Sequence, residues 1–463
     1  MPHLGSGRLA LVAVLPAVLT AALTACSAAP GPTPSGTSTG SPTSAAACQS
    51  ALDRVVAAVQ EQVRSYDTAP APTADATSTA TASTTATASS TATASSTATA
   101  SSTALTPSAT DSPTRATSGT DLAEALTAAR EVIVANRCDQ ESVTSGLTAK
   151  LAGVQARGPI AAAVLARLTA TITGNVGPTP IAKVVAPGED LGGIIAQLPA
   201  GSTVRLSAGE HRLTDPLVLL ETVTIVGEGR DRTSIVSSAP DAAVLVLSPG
   251  RIELTGFSLI RAPGSQGTGV LTGPSAALVL TGMRISGNRA SATTRGGAAV
   301  HLSAQPTDAA PRTTTFEMTD SELVDNEWAG VAVSGAHRVS IESSAFVRNG
   351  ECGICFLDRA SGSVARSTFT DNGVGAAAVG TAHPVLVDDT FSGGQVGIQA
   401  DEDAAPGLQG NTIRSVARAA VILTGRSTGT VEGTSCPSAQ FGIVIGKEAA
   451  PTLLRNACAA IGT

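Results

Sequence analysis

Aromatic residues are scarce in this 463-residue sequence: 2% of the chain, with seven Phe, one Tyr and one Trp. A protein that held sugars mainly on flat aromatic platforms would carry more, which leaves Trp328 as the single stacking candidate. Lysine is nearly missing, at three residues, and the formal net charge is −7. That excludes the broad basic face that nucleic acid or another anionic polymer would need. Long apolar runs are missing too. The longest, Leu9 to Leu23, is too short to span a bilayer comfortably.

What is present is a repeat. Leu323, Phe346, Phe369, Phe391, Ile413, Cys436 and Cys458 recur at separations of 23, 23, 22, 22, 23 and 22 residues. Five residues before each stands a second apolar column: Met318, Ile341, Val364, Leu386, Leu408, Val431 and Leu453. Two columns in step over seven units mark a solenoid. A leucine-rich repeat would need a helical segment per unit. Here each unit offers two short β-like runs, such as Arg338-Val-Ser-Ile and Gly353-Ile-Cys-Phe, joined by Gly, Asn, Asp and Ser. Coils of that kind stack as parallel strands about 4.8 Å apart. Asn288, Asn326, Asn349 and Asn372 fall three residues after the core residue, and Ser321, Ser344, Ser367, Asp389, Asn411, Thr434 and Asn456 fall two before it. Both columns read as structural ladders: Asn tolerates the left-handed turn, and its amide can bond the next Asn along the stack.

The repeated Ser-x-Phe-x-x-Asn and Gly-Val/Ile-x-Val resemble the right-handed parallel β-helix proteins of the pectin-lyase-like superfamily. So does the entry, Gly201-Ser-Thr-Val-Arg-Leu-Ser-Ala-Gly-Glu-His-Arg-Leu followed by Val223-Thr-Ile-Val-Gly-Glu-Gly. The resemblance covers about 188–463 and implies an all-β right-handed parallel β-helix, preceded here by a small α-helical region. It is nearly silent on activity, because that superfamily holds lyases, hydrolases, epimerases and proteins with no known reaction.

The first 26 residues read as a targeting signal, and Leu23-Thr-Ala-Cys26 resembles a bacterial lipobox. Lipidation of Cys26 would place the protein on the outer face of a bacterial cell membrane; an ordinary signal peptide cut nearby is the alternative. Residues 27–47 read as a flexible stalk. Residues 48–175 read as a helical region: Cys48 to Tyr66 with Leu52, Val55, Val56, Val59 and Val63 on one face, Asp121 to Arg137, Glu141 to Gln155, and Pro159 to Ile172. An Ala/Ser/Thr linker, 68–118, interrupts it and buries too little apolar surface to fold. Its hydroxyls are either glycosylated or bare. Residues 176–187 read as a linker, and Asp190 to Leu198 as a cap over the open end of the solenoid.

Apart from Cys26 there are six cysteines, an even number in an exported protein. Cys48 precedes one helix and Cys138 follows the next, so antiparallel packing brings them together. Cys436 and Cys458 lie one coil apart, and a bridge or two buried thiols would fit. Cys352-Gly-Ile-Cys355 lacks the helix N-terminus that a redox motif uses. A local bridge there requires the strand to turn, since an extended pair would stand about 10 Å apart.

Among the acids, Asp388-Asp389 resembles the Asp pair of glycoside hydrolases on this fold, but the Asn-Thr-Asp, Gly-His-Gly and Arg-Ile-Lys signatures that accompany it are absent. So is the Arg-x-Pro-x-x-Arg of calcium-dependent pectate lyases. Asp401, Glu402 and Asp403 on a turn could hold Ca²⁺ or form a solvated acidic loop. His301, His337 and His383 lack ligand spacing. The missing signatures and sparse aromatics favour a tethered, non-enzymatic module that binds cell-wall polysaccharide or a surface partner. The alternative is a carbohydrate-active enzyme, a polysaccharide lyase, hydrolase or epimerase.

Overall fold

Alternation of buried and exposed residues along five-residue stretches such as Arg338–Glu342 builds one wall of a solenoid, with Val339 and Ile341 inside. In the same coil Ala345–Val347 places Phe346 inside, and Cys352–Phe356 places Ile354 and Phe356. Each coil therefore has three strands where the sequence pattern shows two runs. The middle strand is only three residues long, too short for its alternation to register. The computed structural model describes residues 42–67, 128–129, 131–133, 135–172, 179–248, 250–273, 276–290, 297–303 and 315–462. The expected signal segment with Cys26, most of the stalk and the 68–118 linker lie outside them.

The walls are parallel sheets of twelve, eleven and nine strands, in which each strand pairs with its counterparts in the coils before and after. About eleven coils stack in this way into an all-β parallel β-helix. Register follows the two apolar columns: Leu323, Phe346, Phe369, Phe391 and Ile413 pair in succession, as do Met318, Ile341, Val364, Leu386, Leu408, Val431 and Leu453. Phe346, Phe369 and Phe391 stack inside with centroids 4.5 Å apart.

Corners are made by left-handed residues, each followed by an inward polar side chain. Asp325, Arg348 and Asp371 have φ of 56°, 51° and 54°, and the next residues form an amide ladder. Asn288 Nδ2 donates to Asn326 Oδ1 at 2.7 Å, Asn326 to Asn349 at 2.8 Å, and Asn349 to Asn372 at 2.9 Å. At the other corner the backbone N–H groups of Ser321, Ser344, Ser367 and Asp389 each donate to the ladder side chain of the next coil. Buried backbone donors at the turns are thus satisfied.

The helical region has α1 (Pro42–Asp67), α2 (Gln140–Leu151), α3 (Pro159–Ile172) and a short α4 (Leu191–Ala196). The stalk was expected to reach residue 47, yet α1 starts at Pro42; Pro suits a first helical turn, and the alanines at 45–47 propagate it. Asp139 caps α2, its Oδ2 accepting from Ser142 N at 2.8 Å. That helix ends at Leu151, four residues before the expected Gln155, because Ala152 closes on Thr148 and Gly153 follows. Within the expected Asp121–Arg137 helix, residues 128, 129, 131–133 and 135 are helical. Cys48 pairs with Cys138, with Cα atoms 6.0 Å apart.

Two arrangements differ from the sequence reading. Ala182–Val185, expected as linker, is a strand paired in parallel with Ser202–Leu206, so the solenoid begins at 182 and not at 188. The helices also do more than precede the solenoid. Leu52, Val55, Val59, Val143, Leu147, Val164 and Leu168 share one core with Val218, Leu220, Leu245 and Leu271, which lie on the outer face of the eleven-stranded sheet. That face is apolar in its first coils and needs a cover. Asp190 caps α4, and Leu191 and Ile195 plug the end of the solenoid core.

Candidate functional site

The residues that the sequence singled out do not converge. Asp388 and Asp389 face opposite ways: Asp388, at φ 54°, is an exposed corner, whereas Asp389 points inward as a rung of the ladder. They are not a catalytic pair. Burial pushes the Asp389 carboxyl up to about 7, against the opposing pull of the Ser367 and Val387 backbone groups. Asp403 is held by a two-pronged pair with Arg426, at 2.7 and 2.6 Å, and its carboxyl is lowered by that contact. Asp401 Oδ1 accepts from Glu402 N at 2.8 Å. Among the described residues no three His, Cys, Asp or Glu side chains are grouped to hold a metal ion.

Trp328 sits half-buried at a corner, its ring perpendicular to that of His301, 5.3 Å between centroids. His301 is fully buried, and burial, then the charge of His337, lowers it to about 4, so it is neutral at physiological pH. Beside them lies a small apolar cluster with Ala332, Cys352, Cys355, Leu357 and Val379. Cys352 and Cys355 are paired there, Cα atoms 5.9 Å apart. The strand bends at Gly353, which is skipped in the register, and the bend carries both cysteines to the outer face. A Cβ at Gly353 would meet Gly375 O and Phe369 Cδ1, each at 2.6 Å. Cys436 and Cys458 are paired across adjacent coils, Cα atoms 5.1 Å apart.

Acids do converge on an arginine in two places, and none of these residues was picked out from the sequence: Arg284 joins Asp231 and Glu322, each at 2.7 Å, and Arg251 joins Glu253 and Glu317. On the outer face of the twelve-stranded sheet, Glu253, Val279 and Glu317 share one column in three successive coils. Arg251, one step along the strand, reaches both acids: Nε lies 2.7 Å from Glu253 Oε1 and Nη2 3.3 Å from Glu317 Oε2. Thr224 Oγ1 donates to Glu253 Oε2 at 3.4 Å. These hydrogen bonds raise Arg251 above its ordinary value. Two strand spacings put the acid Cα atoms about 9.6 Å apart, and contact with one guanidinium holds the bridged oxygens no more than about 8 Å apart. Outward hydroxyls flank the column, Thr255, Thr281 and Thr319 on one side and Ser340 and Ser363 beyond Glu317. The signal for this group was the repeat itself. It was hidden because the coil between Leu280 and Met318 is 38 residues long, so the column could not be counted back at a period of 22 or 23.

The fold is that of the parallel β-helix proteins, and in this chain one of its outer walls carries these acids. Residues 312–457 match the family described as "Right handed beta helix region". No curated protein matches. Among solved structures, the chain is similar to the catalytic domain of a GH87 α-1,3-glucanase in complex with tetrasaccharides, at 9% identity and TM-score 0.46, covering 62% of this chain and 66% of that one. The catalytic unit of a thermostable GH87 α-1,3-glucanase from Streptomyces thermodiastaticus matches at 13% and 0.32, covering 55% and 63%. A tailspike of Acinetobacter baumannii phage AM24 matches at 12% and 0.33, covering 54% and 49%. The chain thus spans less than two thirds of the length of each. The expectation of a non-enzymatic module is corrected on this finding, since the solved chains that resemble this one in fold include several named as catalytic domains. At these identities and TM-scores the likeness is one of fold. The chemistry has to come from this chain's own residues.

Proposed function

We propose that the protein is a carbohydrate-active enzyme that hydrolyses a polysaccharide on the outer face of the twelve-stranded sheet. The observation that supports this most is the Glu253–Arg251–Glu317 bridge on an exposed, hydroxyl-lined wall. A linear glycan would lie along the solenoid, its hydroxyls meeting the Thr and Ser rows. Inverting glycosidic hydrolysis needs one carboxyl to protonate the leaving oxygen and another to take a proton from the attacking water. Glu253, gripped by Arg251 and Thr224, is placed as the base. Glu317, held by one longer contact, is placed as the acid once a sugar displaces Arg251. In this proposal the two acids, two strand spacings apart, act across a water and invert the anomeric carbon. In the same proposal Cys26 carries a lipid that holds the enzyme at the outer face of a bacterial membrane; among the described residues no helix is long and apolar enough to cross one.

The test is a polysaccharide panel that includes α-1,3-glucan. Glu253→Gln and Glu317→Gln should each lower cleavage by about 10²–10⁴-fold without moving the melting temperature, and NMR of the first product should show the inverted anomer. Full activity in both variants would remove the pair from the mechanism.

A further inference from the structure

A cavity of about 210 Å³ lies where α3 and α4 meet the first coils of the solenoid. Ala162, Ala163 and Ala166 of α3, Ile195 of α4 with Leu198 just after it, and Pro216 and Val218 of the solenoid supply apolar walls. Two charged residues line it as well. Arg167 Nη2 lies 3.4 Å from Glu221 Oε1, with the side chains only 3% and 13% exposed. Arg167 also donates through Nη1 to Leu198 O. Burial lowers the Arg167 guanidinium and raises the Glu221 carboxyl, each partly offset by the other's charge. At 3.4 Å the ion pair is too long and poorly aligned to saturate Glu221 Oε1, which has no other hydrogen-bond donor among the described residues.

A buried ion pair is a weak source of stability, since desolvation offsets its attraction. Well-packed apolar residues would join α3 to the solenoid as firmly. Here the pair instead borders an open space among small side chains, at an interface between two structural units, where ligand sites concentrate. The charges cancel, so a charged guest would leave one of them opposed. A neutral guest with hydroxyl groups suits both: a hydroxyl donates to Glu221 Oε1, and the ring's C–H faces pack on alanine and proline. The volume is that of about seven waters, below the roughly 300 Å³ at which sites for drug-sized ligands begin, which limits the guest to one small ring.

We propose that this cavity is a binding site for a single neutral sugar ring or a cyclic polyol of similar size. It rests on the cavity and its lining, and is independent of the roles given to Glu253 and Glu317. Saturation-transfer NMR of the full chain with methyl α-D-glucopyranoside tests it, with sodium acetate and ethanolamine as charged probes. Transfer to the glucoside is expected in the native chain, with an affinity in the millimolar range for so small a guest. Ala166→Trp, made at an exposed position of α3, fills the mouth and should abolish the transfer while leaving polysaccharide cleavage unchanged. Glu317→Gln should leave it intact, which separates this site from the catalytic wall. Glu221→Gln removes the acceptor charge and should weaken binding; because breaking a buried pair is destabilising, Ala166→Trp carries the decision. No transfer in the native chain, transfer undiminished in Ala166→Trp, or preference for either charged probe would each overturn the proposal.

Discussion

At its N-terminal end the solenoid closes under α4, whose Leu191 and Ile195 enter the core, while α1, α2 and α3 cover the outer face of the first coils. At the other end no described residues cover the strands Thr452–Leu454 and Ala460–Gly462 in this way: Phe441 is 46% and Ile461 42% exposed. Leu453, Cys436 and Cys458 are only partly buried against the core. Each end carries one disulfide, but in different settings. Cys48–Cys138 spans 90 residues and ties helix to helix in the cap, whereas Cys436–Cys458 spans 22 and ties the last coil to the one before. Because a solenoid is stabilised by nearest-neighbour contacts, the cap adds burial where the staple adds only constraint. Unfolding should therefore start at the C-terminal coils.

Removing the two staples breaks this comparison with the largest effects. In the chain-entropy account, losing the 90-residue closure costs about 4–5 kcal/mol and losing the 22-residue closure about 3 kcal/mol. Hydrogen exchange should separate the two. The Cys48→Ser/Cys138→Ser variant should lose protection across residues 42–67 and 135–172. The Cys436→Ser/Cys458→Ser variant should lose it only in the coils after about residue 410. Global loss in the second variant would contradict the nearest-neighbour description.

Truncating aromatics along the stack sharpens it next. Phe369 lies between Phe346 and Phe391, so Phe369→Ala should cost about 3–5 kcal/mol, the usual range for a buried Phe. Phe441→Ala, at the exposed end, should cost less than about 1 kcal/mol in the same denaturant titration. Equal losses would mean that the C-terminal end is covered in solution.

The fold was legible because its signal is long: two apolar columns in step over seven coils, and ladders whose side chains recur at the same offset. The cap helix was legible from Asp190 and the apolar residues after it. The burial of Val218, Leu245 and Leu271 under the helices was not, since an outward apolar row gives no period that distinguishes it from a core row. The candidate site was the least legible part. Its acids are ordinary outward residues of a strand, and only pairing across three coils, one preceded by an insertion, brings Glu253, Arg251 and Glu317 together. Asp388-Asp389 drew the eye because the two are adjacent in sequence, and on a β-helix corner adjacency sends side chains to opposite sides of the wall.

The smallest expected effect concerns one rung between the two ends. Asn411, one coil after Asp389, uses Oδ1 to accept from Asp389 N at 3.0 Å and Nδ2 to donate to Leu386 O at 3.0 Å. Asp389 accepts from Ser367 N in the same way, at 2.8 Å, but its Oδ2 has no partner. By register its counterpart of Leu386 O is the carbonyl of Val364. A carboxylate cannot donate there, and a protonated carboxyl can. The carboxyl is raised by burial from 3.8 to about 7, so the fold favours the protonated form. Its contribution is fully present below the unfolded value of 3.8 and is lost as pH rises through about 7. Asp389→Asn supplies the donor at every pH. The variant should match the native chain near pH 4 and exceed its stability by about 1–2 kcal/mol at pH 8, the scale of one buried polar group left unsatisfied. Melting curves taken from pH 4 to pH 8 should diverge steadily, with the native chain falling. Parallel curves would mean that Asp389 is not the titrating rung, and a drop for Asp389→Asn would mean that the charge itself is needed at that corner.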